Sequence, residues 1–300
     1  MPTPLSTQTM AARRGGGLSG PPKPNKKYFD LEKESAPSDR NLNKEILTGK
    51  MIPKAIIITG ASRGIGLAAT EYLIEQGHKV VLVARTEEKL KELATEYPAQ
   101  VEYVVTDLTL PDAAYKVVNT AMLHFGGIDA VIINHGVLTP MTRVANSSIE
   151  EWKALYDANF FSALALAKES IRPLRQSKGN IIFTSSGAAT GAYAAWGAYG
   201  SSKAAMNSLA KHIGVEEPDI TSVAISPGRV DTDMQKELRE KGQEMNQQEY
   251  ATFQQAFVDG TLIKPEQAGR IIAKLAVEAN HELSGKYFRW DAAELAEYRS

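Results

Sequence analysis

A doubly wound parallel α/β sheet, with about seven strands and helices on both faces in a single domain, is the fold class this 300-residue chain predicts. Two observations carry the expectation. Short apolar runs with few polar breaks recur along the chain and are separated mostly by helix-length stretches, as expected of strands buried on both faces under crossover helices. A glycine-rich turn, Thr59-Gly-Ala-Ser-Arg-Gly-Ile-Gly66, joins the first of these runs to a helical stretch through Leu67, Ala68, Tyr72 and Leu73.

Taken in order, strands are expected from about Lys54 (Ala-Ile-Ile-Ile), Lys79 (Val-Val-Leu-Val), Val101, Asp129 (Ala-Val-Ile-Ile), Asn180 (Ile-Ile-Phe-Thr), Ile220 and Lys286. Long helices are expected at about 148–176 and 197–214. The alternation has no linker and no solenoid period, so residues 51–300 read as one domain. Residues 1–50 differ. They are rich in Pro, Gly, Ser, Asn and charge and lack apolar periodicity, which predicts a disordered extension. No acidic residue precedes Asp30, so organelle import is the alternative to a dispensable extension ahead of Met51.

Composition removes several classes of function. With 34 basic and 35 acidic side chains the net charge is −1, so nothing draws the chain to nucleic acid or to an anionic membrane. Cysteine is absent, which excludes disulfides and thiolate chemistry and is compatible with a reducing, cytoplasmic setting. The apolar runs are strand-sized, far from the roughly 18 residues that cross a bilayer. The five histidines show no metal-ligand spacing, so no metal is expected.

The glycine turn is read as a dinucleotide cradle. Between a strand and a helix, Gly60, Ser62, Arg63, Gly64, Ile65 and Gly66 would bring backbone N–H groups to a pyrophosphate at the helix N-terminus. An isolated glycine pattern is as often an ordinary tight turn; its position here favours the cradle. After the second strand stands Arg85 where a carboxylate would bind ribose hydroxyls, and Arg63 lies in the turn. Two cations favour a 2′-phosphate and hence NADP(H), the alternative being that Arg85 only solvates a loop.

Tyr199 and Lys203, at i and i+4 on a predicted helix, share one face. A unit positive charge at about 4 Å is worth roughly 4 kcal/mol at an effective dielectric of about 20, which predicts a phenol acidified by Lys203 and suited to proton exchange with a carbonyl or alcohol. Ser186 lies thirteen residues before Tyr199. The pair alone would be an ordinary helix-surface contact; with Ser186 and the cradle it reads as catalytic.

In order along the chain, the glycine turn, Asp107, Asn134-His135-Gly136, Asn159, Ser186, Tyr199, Lys203 and Pro227-Gly228 resemble the short-chain dehydrogenase/reductase family over about residues 53–290. The segments Trp196 to Met206, Arg229 to Gln235 and Gly285-Lys-Tyr-Phe are most similar to fungal benzil reductases and sepiapterin reductases. The resemblance implies a Rossmann fold, NADPH-dependent carbonyl reduction, and homodimers or homotetramers through the two long helices. It also implies roles. Tyr199 would give the proton, Ser186 rather than Ser185 would hold the carbonyl oxygen, and Lys203 would bind the nicotinamide ribose. Asn159 would anchor a water chain to the lysine, Asp107 would meet the adenine, Asn134 and Gly136 would line the ribose side, Val230 and Thr232 would hold the carboxamide end, and Pro227 and Gly228 would also bind the cofactor. Asn159 could equally be a satisfied core amide and Asp107 a helix cap.

His135 departs from the family, which usually has alanine there; it is expected to be a tolerated larger side chain, the alternatives being crowding or an added donor. Residues 233–264 intersperse Met234, Leu238, Met245, Tyr250, Phe253 and Phe257 among polar residues, suiting a mobile helical lid over an apolar or aromatic carbonyl substrate. Trp196 is either a packing residue or an aromatic facing that substrate. A 3-oxoacyl thioester reductase and a non-enzymatic NADPH-binding redox sensor are the alternative functions.

Overall fold

The computed structural model describes residues 52–300; the expected disordered extension and its import alternative lie outside the described residues. Seven strands form one parallel sheet in the order β3-β2-β1-β4-β5-β6-β7. They are β1 (Ala55–Thr59), β2 (Lys79–Ala84), β3 (Val101–Val105), β4 (Ala130–Ile133), β5 (Asn180–Thr184), β6 (Thr221–Ser226) and β7 (Lys286–Arg289). Registers such as Ile57↔Val81 and Ile57↔Val131 keep neighbouring strand ends level. The order reverses between β1 and β4, so the crevice beyond their carboxyl ends is the natural ligand site of such a sheet.

Side-chain alternation explains why the strands read as continuous apolar runs. Ile56, Ile58, Val80, Leu82 and Ile132 enter one core with helices α1 (Gly64–Glu75), α2 (Glu88–Glu96) and α9 (Pro265–Glu278). Ile57, Val81, Val83, Val131 and Phe183 enter the other with α3 (Ala113–Phe125), α5 (Ser162–Ser177) and α6 (Gly197–Glu216). Each fully buried side chain of this size stabilises the fold by about 1.5–3 kcal/mol. Glycine permits a close helix contact: a Cβ on Gly269 of α9 would lie 2.7 Å from the Ala69 nitrogen of α1. The edge strands β3 and β7 instead carry Glu102, Lys286 and Arg289, a usual defence against edge-to-edge pairing.

The predicted helix at 148–176 differs in one respect. It is α4 (Ile149–Tyr156) and α5 joined by a π-helical turn, Asp157–Phe161, which turns the Asn159 side chain fully inward. Such turns insert one extra residue into the helical ladder and re-aim side chains locally. Between β6 and β7 the chain forms α7 (Asp233–Lys241) and α8 (Gln247–Val258) before α9, and a short α10 (Ala296–Arg299) closes it. Residues Pro53–Ser300 form one compact unit. Among the described residues no helix is long and apolar enough to cross a membrane, and no group of three or more His, Asp or Glu side chains is placed to hold a metal.

Candidate active site

A cleft of about 1360 Å³ opens at the carboxyl ends of the strands. It exceeds the roughly 300–1,000 Å³ of a single small-molecule pocket, leaving room for a dinucleotide and a second molecule. All the predicted site residues line it except Gly66 and Asn159, which stand behind its wall.

At the switch point, Gly60 and Gly64 have φ of +66° and +56°, left-handed values that glycine adopts without strain. Gly66 serves packing: its Cβ would lie 2.2 Å from the Gly60 oxygen. No side chain caps α1 and its first turn has no acid, so the free N–H groups and dipole at its start favour an anion. Thr184, also in the cleft wall, keeps a buried hydroxyl without a partner. This donor set fits a nicotinamide dinucleotide. Arg85 is exposed at the cleft mouth. Arg63 meets a carboxylate that the sequence reading did not place: Asp233, at the start of α7, lies 3.1 Å from its guanidinium.

Other cradle residues are braced by short local bonds. Asp107 accepts from the Thr109 N–H and hydroxyl at 2.9 and 2.8 Å, which hold its carboxyl below the usual range. Asn134 donates through its amide to the Thr59 oxygen at 3.2 Å. Gly136 lets the chain pass close to both side chains, since a Cβ there would lie 3.2 Å from Asn159 Oδ1 and 3.5 Å from Lys203 Nζ. On the opposite wall Gly228, at φ +82°, packs against Ile263 and Trp290, while Val230 is buried and bridges to Ile263. Pro227 precedes them, and Thr232 caps α7 with its methyl facing Gly64.

His135 neither crowds the cleft nor stays idle. Its Nδ1 lies 2.7 Å from the Thr59 hydroxyl and its Nε2 2.8 Å from the Ser162 hydroxyl. Burial lowers its pKa to about 3, first by desolvation and then by the Lys203 charge, so the ring is neutral. Thr59 Oγ1 already accepts the backbone N–H groups of Asn134 and His135, so its proton has two acceptors in reach, the Ile132 carbonyl at 3.3 Å and Nδ1 at 2.7 Å, and the nearer takes it. Nε2–H then donates to Ser162, which donates onward to the Ala158 carbonyl at 2.9 Å. The network thus assigns the tautomer and ties the end of β1 to the π-helical turn.

The catalytic candidates converge where β5 meets α6. Ser185 is committed to Asn207 at 2.5 Å. Ser186 accepts the Ala188 N–H at 3.2 Å and is the neighbour that pulls the Tyr199 phenol's pKa down, which supports Ser186 as the working hydroxyl. One expectation is corrected. Lys203 does not acidify Tyr199: burial raises the phenol above its ordinary value and Ser186 offsets only part of that rise. Lys203 Nζ lies 5.9 Å from the Tyr199 ring centroid and donates to the Thr184 carbonyl at 2.8 Å. Its own pKa is lowered by desolvation to about 8. Shared helix face brought the two side chains together, yet desolvation is the largest influence on the phenol. Asn159 is a satisfied buried amide. Its amide accepts from the Val137 N–H at 2.7 Å and donates to the Val137 carbonyl and Ser202 hydroxyl at 2.9 and 3.2 Å, bracing the loop beside Gly136.

Beyond Tyr199 the cleft becomes aromatic. Trp196, both the residue before α6 and a cleft-lining side chain, packs on Tyr193, Phe253 and Tyr199 with ring centroids 5.0, 5.5 and 5.7 Å away. Its Nε1 is buried without a partner. Leu238, Met245 and Phe253 of the 233–264 segment join this cluster, while Phe257 is half exposed. Thr59, Ser162, Ser202 and Tyr193 were not singled out from the sequence; isolated hydroxyls and a single tyrosine carry no spacing signal.

Comparison with known proteins agrees with this geometry. The family described as short chain dehydrogenase matches residues 54–243. An oxidoreductase of Schizosaccharomyces pombe is 39% identical over 240 residues, covering 79% of this chain and 96% of the relative. Benzil reductase ((S)-benzoin forming) of Saccharomyces cerevisiae is 37% identical over 252 residues, with 79% and 96% covered. Among solved structures, the YIR035C short chain dehydrogenase/reductase of Saccharomyces cerevisiae superposes with a TM-score of 0.80 at 35% identity, covering 82% of this chain and 100% of its own. The KRED1-Pglu enzyme gives 0.77 at 38% identity, covering 78% and 100%. The chain is an oxidoreductase of the short-chain dehydrogenase family.

Proposed function

We propose that this family member is an NADPH-dependent carbonyl reductase, acting on small apolar or aromatic ketones or diketones of benzil or sepiapterin type. The observation that carries the reading is the position of Tyr199: its buried phenol shares the cleft with Ser186 at the junction of the dinucleotide site and the aromatic wall. When bound, the reduced nicotinamide supplies a hydride to the carbonyl carbon. Ser186 holds the carbonyl oxygen through its hydroxyl, and Tyr199 gives its phenolic proton to that oxygen. A phenol held above its ordinary pKa remains protonated throughout the neutral range, the form that reduction needs. Lys203 binds ribose hydroxyls and, with Gly136 and Asn159 beside it, faces the site where the proton is replaced.

The preference for NADPH is supported by Arg85 at the mouth and Arg63 in the turn. The apolar substrate class is supported by the Tyr193, Trp196 and Phe253 cluster and by the benzil reductase relative. A homodimer or homotetramer in the cytoplasm belongs to the same reading, supported by the exposed Phe161 beside α5 and the absence of cysteine; light scattering showing only monomer contradicts the assembly.

Initial rates with benzil, sepiapterin and an acetoacetyl thioester, each with NADPH and NADH, test the proposal. Turnover of benzil or sepiapterin with a clear NADPH preference supports it. Activity confined to the thioester moves the chain to the acyl-reductase class, and cofactor binding without any turnover favours the redox sensor. The Lys203 pKa of about 8 adds a binding test. As pH rises through that value Lys203 loses its charge, so NADPH affinity is expected to weaken above it and Lys203→Met to abolish the trend. A wild-type affinity that stays flat across this range contradicts the assigned contact.

A further inference from the structure

Arg229 follows Gly228 in the cleft wall. It lies between β6 and α7, in the segment that leads to the candidate carboxamide residues Val230 and Thr232. Its guanidinium carbon stands 4.0 Å from the centroid of the Phe253 ring. The two terminal nitrogens donate to the carbonyl and the hydroxyl of Thr252 at 3.0 and 3.1 Å. All three contacts fall on two adjacent residues of α8. The neighbouring backbone adds to them, because the Ile263 N–H donates to the Arg229 carbonyl at 2.8 Å and the Asp231 N–H to the Ile263 carbonyl at 2.9 Å.

Two features give these contacts leverage. Phe253 is the only buried residue of α8, and a helix with so little burial is an element of low local stability. The Phe253 ring in turn meets Trp196 at 5.5 Å and Tyr193 at 5.9 Å, and Trp196 meets the edge or face of Tyr199 at 5.7 Å. A continuous line of contacts therefore runs from Arg229 to the phenol that protonates the substrate. Only a planar cation stacks on a ring while its forked N–H groups hold a second partner; a lysine ammonium offers a point charge instead.

We propose that Arg229 is a specificity-determining positioning residue: by stacking on Phe253 and holding Thr252 it docks α8, completing a rigid aromatic wall that selects planar aromatic carbonyl substrates over small aliphatic ones. The substrate part rests on the proposed reductase activity, whereas the docking part stands without it. Two variants of the full chain, Arg229→Gln and Arg229→Lys, separate the two parts. Amide hydrogen exchange in the absence of substrate is expected to quicken at least about tenfold across Gln247–Val258 in both variants, with β1 and α1 unchanged. Unaltered exchange in α8 overturns the proposal. In steady-state reduction with NADPH, the kcat/KM for benzil is expected to fall at least about tenfold relative to that for 2,3-butanedione, through KM, while NADPH affinity stays constant. An equal fall for both diketones, or no fall for either, overturns the specificity role. Combining Arg229→Gln with Phe253→Leu should then cost less than the sum of the two single effects, since the stacking contact is shared while the Thr252 bonds are not; full additivity also overturns it. If the wild-type protein reduces neither diketone, the reductase reading fails, and exchange in α8 alone decides the docking claim.

Discussion

Along the β1–β4 side of the cleft the polar groups are bound to one another within a few residues, whereas the α7–α8 side is held by a few long side chains and leaves several polar atoms unmatched. Thr59, Asn134, His135 and Ser162 close a hydrogen-bond network on the first side. On the second side Trp196 Nε1, Gln235 Oε1, Arg239 Nη1 and Glu249 Oε2 are buried without partners. Buried polar groups are normally satisfied, so the first wall is closed on itself, whereas the second keeps unmatched polar atoms on three cleft-lining residues, Trp196, Gln235 and Arg239. A dinucleotide presents the same phosphates and riboses to every protein that binds it. The wall that receives it can be rigid and largely backbone, while substrate selection falls to helices attached afterwards.

The sharpest way to break this contrast is to disturb the closed wall. Gly66→Ala places a Cβ 2.2 Å from the Gly60 oxygen, an overpacking expected to cost about 1–3 kcal/mol and to lower Tm by about 2–10 °C. NADPH binding should weaken with it. Unchanged thermal unfolding and unchanged cofactor affinity would show that the turn has slack and that the two walls do not differ in rigidity.

His135 offers a subtler probe of the same wall. Its folded pKa of about 3 lies below its ordinary value of 6.5, so between these values the unfolded chain binds more protons. The contribution of neutral His135 is thus complete above about pH 6.5 and is lost as pH falls towards about 3, with a slope of up to about 1.4 kcal/mol per pH unit. Acid unfolding followed by circular dichroism should become less steep in His135→Gln, which keeps an amide donor and acceptor but does not titrate. An identical acid limb in both proteins would remove His135 from the network.

The smallest effect is expected where the two walls touch. Arg63 and Asp233 form an exposed pair, with side-chain exposures of 73% and 66%, and such pairs contribute at most about 1 kcal/mol. Asp233→Asn should leave stability nearly unchanged in a denaturant titration. By freeing Arg63 it should tighten NADPH binding by no more than about fivefold; weaker binding would mean that the carboxylate helps the cofactor rather than competes with it.

The same contrast explains what could be read before the structure. All seven strands were legible because burial on both faces leaves little room for polar interruptions, and the cradle was legible because glycines there answer to backbone geometry. Tyr199 and Lys203 were legible as a pair through helical spacing, but the direction of the phenol's pKa was not. Desolvation depends on what the rest of the chain packs over a group, which spacing does not encode. Asn159 was placed but its partners were not, because the π-helical turn that aims it has no sequence signal of its own. Arg229 looked like one more polar residue beside a glycine, since its partner Thr252 is 23 residues away.

Turnover by Tyr199→Phe tests the central claim most directly. With saturating NADPH and a carbonyl that the wild-type protein reduces, removal of the phenolic proton donor should lower kcat by about 10²–10⁴-fold while tryptophan fluorescence reports NADPH binding unchanged. Near-normal reduction by that variant would contradict the account, because the proton would then come from a group other than the buried phenol at the junction of the two walls.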